Sequence, residues 1–136
     1  MSWLWIGLSL VAGIALLGLG LRAGSARMNA RMVERLHASP KGEAAARVML
    51  LTLPSGRTLP VNYLREGERV YAAADFPWWR ELPAAGGPGS VWIRGETRRG
   101  RVRAVLDDAK LRDEVFAKLR PTAPRFFGTL VVVELE

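Results

Sequence analysis

From Trp3 to Leu21 the chain reads WLWIGLSLVAGIALLGLGL, nineteen residues without a charge and with Ser9 as their single hydroxyl side chain. Such a run cannot be shared between the core and the surface of a small domain; it asks for an apolar solvent. At about 1.5 Å rise per residue, a helix of this length nearly spans the ~30 Å hydrocarbon core of a bilayer. Trp3 and Trp5 stand where interfacial aromatic residues sit. A cleaved secretory signal would carry a basic stretch in front and a shorter apolar run. Here only Met1 and Ser2 precede the run, and the arginines follow it. The expectation is an uncleaved single-pass anchor over residues 1–22.

The charges that follow set its direction. Arg22, Arg27, Arg31, Arg35, Lys41 and Arg47 face only Glu34 and Glu43, a net +4 in a short flank. Positive flanks stay on the cytoplasmic side. The remainder of the chain is therefore expected in the cytoplasm, held at the inner or plasma membrane. The same collar attracts anionic lipid headgroups, at about 1 kcal/mol per basic residue near the surface. The formal charge of +7 invites a nucleic-acid partner, but residues 48–136 hold 14 basic and 11 acidic groups, only +3. No helix-turn-helix, zinc-finger or RNA-recognition signature accompanies them, so nucleic acid is not expected. With no cysteine, disulfides, thiolate nucleophiles and iron–sulfur ligation are absent. The lone histidine, His37, has no second ligand nearby, so no metal site is expected.

Residues 23–46 read as a basic amphipathic juxtamembrane helix and linker. Met28, Met32, Val33 and Leu36 share one helical face, and Ser39-Pro40-Lys41-Gly42 breaks it. After Ala46 short apolar runs replace helical spacing. Arg47–Leu53, Arg57–Leu64, Arg69–Ala74, Ser90–Arg94, Arg101–Leu106 and Thr129–Leu135 read as strands. Pro60 suggests an edge or bulge in the second, and Gly95–Gly100 a turn before the fifth. A short helix or turn holds Asp75–Leu82, and Asp107 or Asp108 can cap a helix running to Leu119. Six short strands with two small helices predict a mainly β, closed or partly closed antiparallel barrel over residues 47–136.

The order of these pieces resembles the deazaflavin-dependent nitroreductases, split β-barrels related to the flavin-binding pyridoxamine-phosphate-oxidase barrels. Arg57-Thr58-Leu59-Pro60 matches that family's R-x-x-P. Glu66–Ala74 matches its hairpin and return strand, and Pro77-Trp78-Trp79 its P-x-W motif. The resemblance implies a six-stranded split barrel that binds coenzyme F-420, with FMN as the alternative. It further implies hydride transfer to a quinone or nitroaromatic acceptor, and weakly a homodimer. It places Ser55, Gly56, Arg57, Pro60, Ala73, Ala74, Asp75, Trp78 and Trp79 around the cofactor, with Tyr63 and Tyr71 as candidate proton donors.

Two departures accompany it. The first turn is shortened to Leu53-Pro54-Ser55-Gly56 without its basic residue, and Asp75 stands where the family places a hydroxyl and a base. A phosphate would meet like charge there. These departures leave open a second reading, a non-catalytic barrel that binds or scaffolds at the membrane. Trp79 is expected in the pocket or core, Trp78 at the surface or the bilayer interface. Arg98–Arg103 is expected to be a charged, solvated strand edge, with contact to lipid headgroups as the alternative.

Overall fold

The computed structural model describes residues 27–122 and 128–136. The expected membrane span lies outside them; among the described residues no helix is long and apolar enough to cross a membrane. By its internal contacts the chain divides into Met1–Glu34 and Arg35–Glu136, and the second unit holds all six strands. A helix, α1, covers residues 27–38. The strands are β1 (Val48–Thr52), β2 (Thr58–Glu66), β3 (Arg69–Ala74), β4 (Gly87–Ile93), β5 (Glu96–Val105) and β6 (Thr129–Leu135), with α2 (Ala109–Leu119) between the last two. Every pairing is antiparallel, and the order β1-β2-β3-β6-β5-β4 closes on itself through β1 and β4. Closure leaves no free sheet edge.

Strand alternation builds two apolar layers. Inward residues Met49, Leu51, Val61, Val70, Ala72, Val91, Val102, Val131 and Val133 fill the barrel. Their neighbours Tyr71, Leu130 and Val132 point outward and are covered by Val115 and Phe116 of α2. That double burial is why β6 reads TLVVVEL with hardly a polar break. Asp108 caps α2, accepting a hydrogen bond from the Leu111 amide at 3.0 Å.

Three local features differ from the sequence expectation. β5 begins at Glu96, five residues before the expected start, because the β4–β5 turn is only Arg94-Gly95. Both residues lie at positive φ (51° and 89°), as a two-residue hairpin turn requires. The run Glu96–Gly100 is thus strand, and β5 is paired on both sides rather than being an edge. Pro60 lies inside β2, but that strand pairs with β1 over Thr58–Asn62 and with β3 only from Tyr63 onward. Pro60 therefore has a paired strand on one side alone, so its missing N–H costs no ladder bond. Finally, Leu36 and Ala45 are fully buried, and His37 packs on Trp92 with ring centroids 5.1 Å apart. Residues 35–46 are thereby part of the barrel unit.

The registers bring to one rim the turn 53–57, the segment 75–86, residues 106–108, and Gly128 at the start of β6. The opposite rim carries the β2–β3 and β4–β5 turns.

Candidate functional site

Most of the expected cofactor residues gather at the first rim, and the segment 75–86 decides what they do there. Phe76 is extended, as a residue before proline must be, and Pro77 opens a 3-10 helix, Pro77–Glu81. This helix turns Trp78 and Leu82 into the barrel, where both join the interior cluster at 8% and 9% exposure. Trp79 is only half-buried against that cluster, with the Arg80 guanidinium 5.4 Å from its ring. The burial order of the two tryptophans is therefore the reverse of the expected one. The first indole is part of the interior cluster, and the second packs against that cluster.

The same helix carries Glu81 to the β1–β2 turn. Arg57 Nη1 donates to Glu81 Oε2 at 2.7 Å, and Ser55 Oγ donates to Glu81 Oε1 at 3.4 Å. The Arg57 amide donates in turn to Ser55 Oγ at 3.3 Å, and Gly56 (φ 89°) makes the bend. The oxyanion expected at this turn is thus supplied by the chain itself. Glu81 was not among the expected site residues. Its signal was a carboxylate placed four residues after Pro77 in a segment already singled out for its tryptophans, with an unpaired arginine opposite.

Asp75 is likewise engaged: Arg120 Nη1, from the end of α2, donates to its Oδ1. The Arg120 guanidinium lies 4.5 Å from the Phe116 ring centroid, and its Nε and Nη2 are buried without a partner among the described residues. The acid that would repel a phosphate is thereby paired with an arginine the sequence reading did not connect to it.

The remaining expected residues do not reach this rim site. Ala74 faces the barrel interior at 2% exposure, and Ala73, one residue earlier, faces the opposite side beneath α2. Tyr71 shares that outer layer at 4% exposure, which removes it from contact with any substrate. Tyr63 lies further down β2 and donates its hydroxyl to the Ala45 carbonyl at 3.0 Å. Burial pushes its phenol above the ordinary tyrosine value, while Arg94 and Arg65 pull the other way. Its role is to fasten residues 44–46 to the barrel. Pro60 is half-buried in β2. A depression of ≈ 280 Å³ lies among Arg35, Ser39, Gly42, Glu43, Ala44 and Arg47, and none of the expected site residues lines it.

No protein-family model matches the chain, and none of the curated proteins does. Its fold is shared by solved structures. One is a FAD-binding protein from Mesorhizobium loti, with TM-score 0.52 and 18% identity, covering 75% of this chain and 88% of that one. Another, from Listeria innocua, is provisionally named a pyridoxamine 5′-phosphate oxidase, with TM-score 0.51, 13% identity and coverage of 76% and 92%. The chain has the split barrel of the pyridoxamine-phosphate-oxidase type, as the resemblance implied. At these identities the likeness concerns the fold, and it does not single out the deazaflavin branch.

A flavin or deazaflavin can be tested against the residues present. A phosphate at the Ser55–Arg57 turn would meet the Glu81 carboxylate that already occupies the guanidinium. A planar ring beside Ala74 would have to displace Trp78, which fills that end of the core. The residues as arranged do not fit the group.

Proposed function

We propose that this chain is a membrane-tethered split barrel that binds or scaffolds a partner at the cytoplasmic face, with its ancestral cofactor site turned inward. The observation that carries this reading is Glu81 on Arg57. A side chain that could grip a phosphate is held at 2.7 Å by a carboxylate from the segment that also seats Trp78 in the barrel. The pair is surface-exposed, so it adds little stability, about 0–1 kcal/mol for pairs of this kind. Its consequence is electrostatic: the turn presents a neutral pair where cofactor binding needs a cation.

In this reading the anchor expected over residues 1–22 and the basic collar hold the barrel at the inner or plasma membrane. A barrel fixed at the bilayer meets membrane-bound partners without having to search solution. The reading set aside here is hydride transfer from reduced F-420 or a flavin to a quinone or nitroaromatic acceptor. It is favoured by the fold shared with a FAD-binding protein, and it requires Glu81 to leave Arg57.

Titration of the purified full-length protein in detergent with FMN, FAD and F-420, read by the cofactor's own fluorescence, separates the two. No saturable binding at micromolar cofactor is the expected result. Micromolar binding that is lost in Arg57→Ala would restore the oxidoreductase reading.

A further inference from the structure

The arginine repeat of β5 has no edge to protect. Gly100 and Val102 point into the barrel and are buried, so Arg99, Arg101 and Arg103 alternate with them onto the outer face. Successive members of this row are about 6.8 Å apart along the strand. Across the neighbouring strands the face contains Ser90 and Pro88 of β4, opposite Arg99 and Arg101, and Glu134 of β6, opposite Arg101. Arg69 of β3 stands opposite Glu134 on the far side. Glu134 thus stands next to Arg69, Arg101 and Arg103. Arg69 and Arg103 approach it at 3.8 and 3.6 Å, both longer than a good charge-assisted hydrogen bond. Arg101 is held by the Ala85 carbonyl, to which Nε and Nη2 donate at 3.1 and 2.8 Å, a contact that cancels none of its charge.

By formal count this face carries the excess. Residues 48–136 carry +3 in all; the four arginines and Glu134 account for all of it, leaving ten basic and ten acidic groups elsewhere. Elsewhere Arg57 is paired with Glu81, Lys118 with Glu66, Arg98 with Glu68 and Arg120 with Asp75, while Arg65, Arg80, Arg94 and Lys110 make no ion pair among the described residues and stand singly on other parts of the surface. Like charges repeated along one face repel one another. Here edge protection does not account for the row, and Glu134 offsets the repulsion only in part.

We propose that the outer face of β4-β5-β6, through Arg99, Arg101 and Arg103 with Arg69, is a docking surface for an anionic bilayer. The choice of a bilayer over another polyanion rests on the membrane tether proposed above; the charged face itself does not. A guanidinium row on a sheet surface suits an array of phosphate oxygens, each able to accept a paired hydrogen bond.

The test uses residues 35–136, which contain every strand and both apolar clusters. The readout is sedimentation with phosphatidylcholine vesicles, with and without phosphatidylglycerol. Binding to the anionic vesicles alone is expected. It should weaken about fivefold in Arg99→Gln or Arg103→Gln, about twenty-five-fold in the double variant, and not in Lys110→Gln on α2. It should vanish at about 1 M salt, where the Debye length is about 3 Å. Unchanged melting of the Gln variants verifies that the barrel is intact. Equal binding by parent and double variant overturns the proposal, and so does a mixed-sequence DNA duplex that binds as tightly as the vesicles. Insertion of the full chain into purely zwitterionic vesicles tests the tether separately, so the two ideas can fail independently.

Discussion

Replacing Trp78 distinguishes a core plug from a ligand wall. Its side chain is 8% exposed and lies among Ala74, Leu82 and the inward valines of the barrel. A tryptophan buries about 150–250 Å², and at ~25 cal/mol per Å² that corresponds to roughly 4–6 kcal/mol. Alanine retains the Cβ and the rim relaxes in part, so the expected loss for Trp78→Ala is about 3–5 kcal/mol. Domains of this size hold about 5–15 kcal/mol in total, and the variant is left near the edge of folding. Trp78→Phe, with an expected cost of about 1–2 kcal/mol, keeps the measurement within reach. Trp79→Ala removes a half-buried ring and its contact with Arg80, and should cost less than about 2 kcal/mol. Urea unfolding of residues 35–136, followed by far-ultraviolet circular dichroism because the variants delete fluorophores, gives all three values. An unchanged slope against urea verifies that the same surface is exposed in each. If Trp79→Ala lowers stability as much as Trp78→Ala, the assignment of plug and cover is wrong. If Trp78→Ala is neutral, the indole is not a core plug and the case against a cofactor rests on the Arg57–Glu81 pair alone.

Three further expectations follow from the packing. Gly100→Ala would place a Cβ 2.6 Å from the Glu134 carbonyl oxygen and 2.9 Å from Val133 Cγ1. The backbone oxygen cannot move aside cheaply, so urea unfolding should show a loss of at least about 1–3 kcal/mol. Asp108→Ala removes the cap of α2 and should cost about 1 kcal/mol, seen as a melting point lower by roughly 4–8 °C. The Tyr63 phenol, raised by burial, keeps its proton in the folded state at pH values where the unfolded chain releases it. Its contribution is therefore complete below the ordinary value of 10.0 and declines as pH rises through the folded value. Ultraviolet difference titration should show a late-ionising component from Tyr63; Tyr63→Phe should abolish that component and flatten the alkaline decline.

The barrel was legible because its strands announce themselves by alternation. Arg69–Ala74 and Thr129–Leu135 match the structure residue for residue, and the helix after Asp108 ends at Leu119 as expected. β5 was cut short because its first half, ETRRG, is charged and ends in glycine, a composition that reads as a turn. The structure shows Gly100 facing inward for a different reason: the β6 backbone approaches too closely there to admit a side chain. The rim resisted reading on other grounds. Burial of Trp78 rather than Trp79 depends on the phase of a 3-10 helix five residues long, which neighbouring identical side chains cannot reveal. The pairs Arg57–Glu81 and Asp75–Arg120 join residues 24 and 45 positions apart. Local pattern can identify Arg57 as an anion ligand, but it cannot supply the anion. That distinction governs the functional reading. An arginine beside a Ser-Gly turn indicates a phosphate site while its partner is unknown, and a closed pair once Glu81 is placed opposite. The charge of Arg57 is consequently spent within the chain, whereas Arg99 makes no ion pair among the described residues and Arg101 is held by backbone carbonyls alone. A partner drawn by charge should therefore meet the barrel on the β5 face rather than at the rim where a cofactor was expected.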